Sequence, residues 1–378
     1  MQLQIRAVAP EIPELEKWAS YLQPAIDANW FTNFGPVNTN FEKRLAELFG
    51  CEGEAIVAVA NATAGLSACL IANAVSSAVL CPAFTFQATA SSILGAGCKP
   101  VIVDTDAVTG VMRPEVLEHG LRETGARAAI VLAPYGIATD FREHAEVCRR
   151  NGAILVIDNA AGLGVERAGA RVSGDDETVW EVFSLHATKP FGIGEGGVVF
   201  APSTAEARLR SALNFGLPTH TLSGDDKRPY WGINGKLSEF HAAVGMAVAD
   251  TMAQRVSLRQ VMARKWIEAV QDLPVEIFCS DVHLCPWQVF PVLLKNEEQV
   301  QRTVSIAADR GIELRRYYAP SLGRCSGMAA LGPCPNAAEL AARALVLPMR
   351  SWIEEDEQSA MIEKVSDCLR RGAEGIHS

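Results

Sequence analysis

Four widely separated features carry residue types that could do chemistry together. Asp158 closes the apolar run Ile154-Leu-Val-Ile-Asp. A carboxylate at the C-terminal end of a parallel strand sits where ligands of open α/β sheets bind, although an aspartate there also serves as an ordinary helix cap. Lys189 stands in Phe183-Ser-Leu-His-Ala-Thr-Lys-Pro, just ahead of the glycine-dense Gly192-Ile-Gly-Glu-Gly-Gly. Small and hydroxyl neighbours suit a solvated lysine poorly, yet the surface is the commoner home of a lysine. The turn Val59-Ala-Asn-Ala-Thr-Ala-Gly65 offers helix N-terminal N–H groups, the positive dipole end and the Thr63 hydroxyl. That is an anion cup needing no Lys or Arg, or else a plain N-cap. Phe86 follows an expected strand end in Cys81-Pro-Ala-Phe-Thr-Phe. Its ring could stack on a planar ligand, although core packing is the ordinary fate of a phenylalanine.

Taken together these features fit one cofactor. Pyridoxal phosphate needs an amine to carry it, a carboxylate to keep its pyridine nitrogen protonated, a phosphate cup and a ring stacker. Lys189, Asp158, the Thr63–Ala64 turn and Phe86 would supply them. The glycine run after Lys189 does not read as a dinucleotide loop, because it precedes a strand instead of following one. No early G-x-G-x-x-G follows the first strand, which counts against a nicotinamide-dependent oxidoreductase.

The elements that must position these residues read as follows. Continuous apolar runs at 55–59, 100–103, 128–132, 154–157 and 197–200 indicate strands covered on both faces. Helical stretches such as 141–151, ending at Gly152, separate them, which predicts a doubly wound, mainly parallel α/β layer. Residues 55–98 contain no charged side chain, but polar residues and Pro82 interrupt them. They read as a buried strand–helix–strand unit, not a membrane span. Beyond Asp250, helical patterns at 251–273, 297–310, 337–345 and 354–372 alternate with short strands near 288–294 and 312–315. Two domains are expected: 1–249, including the N-terminal segment, and a smaller α+β domain over 250–378. The segment 217–229 reads as a long loop.

Composition sets the outer limits. The chain has 378 residues, 49% hydrophobic and 21% charged, enough to bury a large core. A net charge of −10 counts against nucleic-acid or anionic-membrane partners. Ten cysteines with no C-x-x-C pair and no metal-ligand spacing predict buried thiols in a reducing compartment and no metal site. With no apolar h-region at the N-terminus, the expectation is a cytoplasmic protein.

The motifs N-A-T-A-G-L (61–66), P-A-F-T-F-Q-A-T (82–89), V-I-D-N-A-A (156–161), F-S-L-H-A-T-K (183–189) and G-E-G-G (194–197) resemble the DegT-type sugar aminotransferases. So do W-F-T-N-F-G-P (30–36), G-I-N-G-K-L-S-E-F-H-A-A (232–243), Y-Y-A-P (317–320) and R-A-L-V-L-P (343–348). The resemblance runs through nearly the whole chain in the family's order. It implies a fold-type I pyridoxal-phosphate enzyme acting on nucleotide-linked keto-sugars. Lys189 would carry the cofactor and then move the substrate proton, Asp158 would pair with the pyridinium nitrogen, and Phe86 would stack on the ring. Thr63, Ala64 and Ser184 would hold the phosphate, beside the capping Asn61. Asn234 would reach the phosphate of a neighbouring subunit, implying an obligate homodimer with shared sites. His186 and the 194–197 glycines would shape the lysine loop. Asn33, Phe34 and Tyr317 would lie near the sugar, and Lys227, Arg228, Arg315 and Arg316 are candidates for its diphosphate.

Two positions depart from the family pattern. Ala161 stands where Gln or His is frequent, so a contact to the cofactor's phenolic oxygen would come from another residue, such as Asn159, or be absent, and Ser321 stands where a histidine often follows Tyr-x-Pro. Lys189 counts against the dehydratase branch, which has histidine there. The expected reaction is transfer of the amino group of L-glutamate to a dTDP-4-keto-6-deoxyhexose. The alternatives are a 3-keto-sugar substrate or a cofactor-binding regulator without turnover.

Overall fold

Residues whose runs are apolar throughout do form a sheet buried on both faces. The computed structural model describes residues 5–165, 176–218, 229–325 and 327–374. Its strands are β1 (Glu54–Val59), β2 (Ala78–Pro82), β3 (Lys99–Val103), β4 (Ala128–Leu132), β5 (Ile154–Asp158), β6 (Val179–Ser184), β7 (Gly197–Pro202), β8 (Glu276–Ile277), β9 (Phe290–Leu293), β10 (Ala329–Ala330) and β11 (Ala344–Leu347). The large sheet has the order β1-β7-β6-β5-β4-β2-β3-β10. Pairing is parallel from β6 to β10, and β7 runs antiparallel to both β6 and β1.

Alternate residues of each strand enter different cores, as a pleat of period two requires. Val57, Val79, Ile130, Val156, Val182 and Val199 point into one continuous core with the Ala62–Ala72 helix. On the other face, Leu80, Ala129, Val131, Leu155 and Ile157 pack with the Pro114–Thr124 and Arg142–Arg150 helices. Ile56, Ala58, Val198 and Phe200 pack there with the Pro36–Phe49 helix.

A third core surrounds the antiparallel sheet β11-β9-β8. The helix expected from Thr251 starts earlier, at Glu239, and continues to Val270. It therefore runs through the expected 249/250 boundary. Val248 and Met252 belong to the core under β7, whereas Met262, Trp266 and Val270 belong to the third core. The N-terminal segment also departs from the large domain: Ile5 bridges Ile312, and Glu11 bonds Arg259 and Ser351.

Residues 312–315, expected as a strand, make only isolated bridges, Ile312 to Ile5 and Arg315 to Val346. The helix expected to reach residue 345 stops at Arg343, because Ala344–Leu347 pairs with β9. None of the ten cysteines is in a disulfide, but Cys51 is exposed and Cys279, Cys325 and Cys334 are half-buried, so only six are the buried thiols expected. No described helix is long and apolar enough to cross a membrane.

Candidate active site

The C-terminal edges of the parallel strands open into a cavity of about 330 Å³. Asp158 ends β5 in register with Leu132 of β4 and Val182 of β6, so its carboxylate stands at the middle of that edge. Thr89 Oγ1 donates to Asp158 Oδ2 at 2.8 Å and the Ala160 N–H donates to Oδ1 at 3.3 Å. Burial raises the carboxyl's pKa, and Thr89, Lys189 and the Ala160 amide pull it the other way. A buried carboxylate already tied to a hydroxyl is suited to keep a ring nitrogen protonated.

Lys189 lies in the loop that leaves β6. Backbone bonds Leu185 N to Gly196 O (2.9 Å), Ile193 N to Leu185 O (2.9 Å) and Ala187 N to Gly194 O (2.7 Å) fold this loop on itself. The glycine run makes the close approach possible: a Cβ at Gly192 would lie 2.5 Å from the Ala187 carbonyl oxygen, and Gly194 has φ +103°. Lys189 is half-buried at the cavity wall, and its Nζ donates to Gln288 Oε1 at 2.9 Å. Burial pushes the ammonium down to about 8, against the pull of Asp158. An amine poised there is able both to take and to return a proton near neutral pH.

Across the cavity, Asn61 caps the Ala62–Ala72 helix by accepting the Ala64 N–H at 2.9 Å. Ala64 is thus spent on the cap and does not line the cavity, whereas Ala62 and Thr63 do. Their first-turn N–H groups have no intrahelical acceptor and are free for an anion. Ser184 lines the same wall, its Oγ accepting the His186 N–H at 3.2 Å. Phe86 lines the cavity and is 59% exposed as a residue, so its ring is available for stacking.

Other expected residues fall as follows. His186 and Tyr317 line the cavity. Asn159 turns away from it, giving its Nδ2 hydrogen to Glu181 Oε1 at 2.8 Å, so it does not substitute for the side chain that Ala161 lacks. Asn33 and Phe34 lie outside the lining, on a left-handed turn at φ 59° and 60°. Asn234 is exposed and bridges Asn214, away from this cavity. Arg315 lines the cavity, with Tyr317 Oη accepting from it at 3.0 Å, but Arg316 pairs with Glu297 outside it. Lys227 and Arg228 lie outside the described residues.

Sequence reading missed Thr89, Gln288, Tyr135 and Tyr318. Tyr135 and Tyr318 stack at 5.4 Å to form the cavity floor with Leu132 and Ala133. The free helix N-terminus, buried carboxylate, poised amine and exposed ring fit the phosphate, pyridine nitrogen, carbonyl and face of pyridoxal phosphate.

Known proteins agree with this fit. The DegT/DnrJ/EryC1/StrS aminotransferase family matches residues 14–366. The dTDP-4-amino-4,6-dideoxy-D-glucose transaminase of Shigella dysenteriae is 27% identical over 365 residues, 94% of this chain and 96% of that protein. The UDP-2-acetamido-2-deoxy-3-oxo-D-glucuronate aminotransferase of Pseudomonas aeruginosa is 26% identical over 328 residues, 85% of this chain and 87% of that one. The crystal structure of DesI in the presence of its TDP-sugar product superposes with a TM-score of 0.85 at 28% identity, covering 98% of this chain and 94% of DesI. The chain therefore belongs to the DegT/DnrJ/EryC1/StrS aminotransferase family, with the fold of a type I pyridoxal-phosphate enzyme and pyridoxal phosphate as its cofactor.

Proposed function

We propose that the protein transfers the amino group of L-glutamate to the C4 keto carbon of a dTDP-4-keto-6-deoxyhexose. The observation that carries the reading is Lys189, a poised amine facing one cavity with Asp158, Phe86 and the open helix N-terminus. Bound pyridoxal phosphate supplies an electron sink for negative charge on the substrate carbon. Asp158 holds the proton on the pyridine nitrogen, and Phe86 covers the ring. The Ala62 and Thr63 amides and the Ser184 hydroxyl hold the phosphate. Lys189 Nζ would hold the cofactor and, when not bound to it, would carry a proton between the two carbons that flank the transferred nitrogen.

The dTDP and C4 assignments draw support from the Shigella relative and from DesI, whose names carry a dTDP-4-amino sugar and a TDP-sugar product. The Pseudomonas relative, named for a UDP-linked 3-oxo sugar, supports the 3-keto alternative. Arg315 brings to the cavity wall a guanidinium suited to a carboxylate or a diphosphate. The homodimer is part of the proposal: Asn234 is exposed, as are Trp231 and Phe240 close to it in the sequence, and a second copy would cover such apolar side chains.

Visible absorbance tests the reading. The yellow protein should bleach on addition of L-glutamate alone, and Lys189→Ala should neither show the band nor bleach. A yellow protein indifferent to glutamate would remove the donor assignment, and one that turns over only UDP-3-keto sugars would replace the substrate.

A further inference from the structure

We propose that Gln288 is a positioning residue for Lys189: its amide oxygen accepts one Nζ hydrogen and keeps the amine aimed into the cavity. The inference rests on the reading of Lys189 given above.

Gln288 is delivered from a part of the chain far from the lysine loop. It stands two residues before β9, it is 7% exposed, and its side chain reaches across to Lys189, ninety-nine positions away. The residue before it, Trp287, is fully buried at φ 57°, a conformation that bulky side chains adopt only when their surroundings over-determine it. Those surroundings are visible: the indole N–H donates to the Val282 carbonyl at 2.8 Å, and the Trp287 carbonyl accepts from Arg259 at 2.8 Å. From this backbone the amide meets the loop that leaves β6.

The amide's orientation is set from its other end. Gln288 Nε2 donates to Thr188 Oγ1 at 3.3 Å, and Thr188 Oγ1 shares a 2.9 Å bond with His186 Nδ1. With the nitrogen spent there, the oxygen is the atom left for Lys189. A lysine amine with one hydrogen held presents its lone pair in a restricted direction, which is what a group that accepts and returns a proton requires.

Other groups facing this lysine are Asp158 at the end of β5, His186 and Glu195 on its own loop, Tyr135 after β4, and Arg315, Tyr317 and Tyr318 from the 315–318 segment. Among the hydrogen bonds described, Gln288 alone accepts from Nζ. Ala161 adds no polar group to the cavity, so the side-chain amide enters from the Gln288 side.

The test reads the proton affinity of Lys189 directly, in full-length protein freed of cofactor, by pH-dependent acylation of the lysine followed by peptide mass spectrometry. Wild-type Lys189 should become reactive near about 8. In Gln288→Leu the acceptor is lost, and the transition should move down by about one pH unit. In Gln288→Glu a carboxylate replaces the acceptor, and it should move up by about one unit or more. Thr188→Val, which frees the amide to turn, should shift in the direction of Gln288→Leu and carries the test if that variant does not fold. In the cofactor-loaded protein, Gln288→Leu should lower kcat about tenfold with little change in sugar KM.

Shifts of the same sign in Gln288→Leu and Gln288→Glu, or none, would overturn the proposal and leave Gln288 a packing residue. Borohydride trapping of the loaded protein separates the two readings. Cofactor found on a lysine other than Lys189 would overturn the assignment of the site, whereas cofactor on Lys189 without opposed shifts would overturn only the role of Gln288.

Discussion

Thr89 and Asp158 form a buried pair in which the threonine hydroxyl donates to the carboxylate at 2.8 Å, and Thr89 also shares a 2.7 Å bond with Thr85. The pair places a carboxylate where burial opposes its charge, and the protein retains it by supplying a hydroxyl, an amide and a nearby ammonium. On the proposed role of Asp158, such a site is held against stability for the sake of chemistry.

That cost has a sign. The folded pKa of Asp158 is raised above its unfolded value. Its favourable contribution is therefore complete below the unfolded value and is lost as pH rises through the folded one. Asp158→Asn should raise the melting temperature of the cofactor-free protein at neutral pH, with the gain shrinking towards acid pH. The same variant should lose about a hundredfold or more in kcat, through loss of the protonated ring nitrogen. A melt series across pH, beside steady-state kinetics, checks both halves. A variant destabilised at neutral pH would contradict the first.

Gly197, the first residue of β7, lies under the anion cup: a Cβ there would sit 2.7 Å from the Ala62 amide nitrogen and 2.9 Å from the Asn61 carbonyl carbon. Both are backbone atoms and cannot rotate away. Gly197→Ala should displace the helix N-terminus, destabilise the fold by about 1–3 kcal/mol, and weaken pyridoxal phosphate binding about tenfold. Spectroscopic cofactor titration measures the second effect separately from the melt.

Glu42 and Arg210 form a buried ion pair at 2.7 Å, and the Arg210 guanidinium lies 5.1 Å over the Phe34 ring. Glu42→Gln leaves the arginine with Glu206 as its remaining charge partner. The expected loss is about 3 kcal/mol in urea unfolding. A double-mutant cycle with Arg210→Met should recover much of the stability, since the unpaired buried charge is gone.

Lys227 and Arg228 carry positive charge in a chain of net charge −10, and the sequence offers them as candidates for the substrate's diphosphate. Lys227→Ala combined with Arg228→Ala should raise the KM for the nucleotide sugar several-fold at low salt with little change in kcat. An unchanged KM would remove these residues from the site.

The legible parts of the fold were those with an uninterrupted pattern. β1, β3, β4, β5 and β7 are apolar runs, and each lies within a residue or two of where the runs stand. β6 carries Glu181 at its centre, which breaks the run; the structure explains that carboxylate by its bond from Asn159. The Glu239–Val270 helix begins with a buried glutamate whose Oε2 accepts the Val37 and Asn38 amides at 2.6 and 3.2 Å, a partnership 201 to 202 positions long. A charged residue with so distant a partner reads as a solvated one until the fold is known.

By itself the sequence determined the chemical inventory: an amine, a carboxylate, a small-residue helix start and an aromatic ring, in an order and context matching one family. Those are properties of residue type and local spacing. The tertiary structure decided which groups are free to act. It spent Ala64 on a cap, turned Asn159 towards Glu181, and brought Gln288 to Lys189. Each outcome depends on which donor lies within about 3 Å of which acceptor after packing, and a chain read in one dimension carries no distances between residues that meet only when it folds.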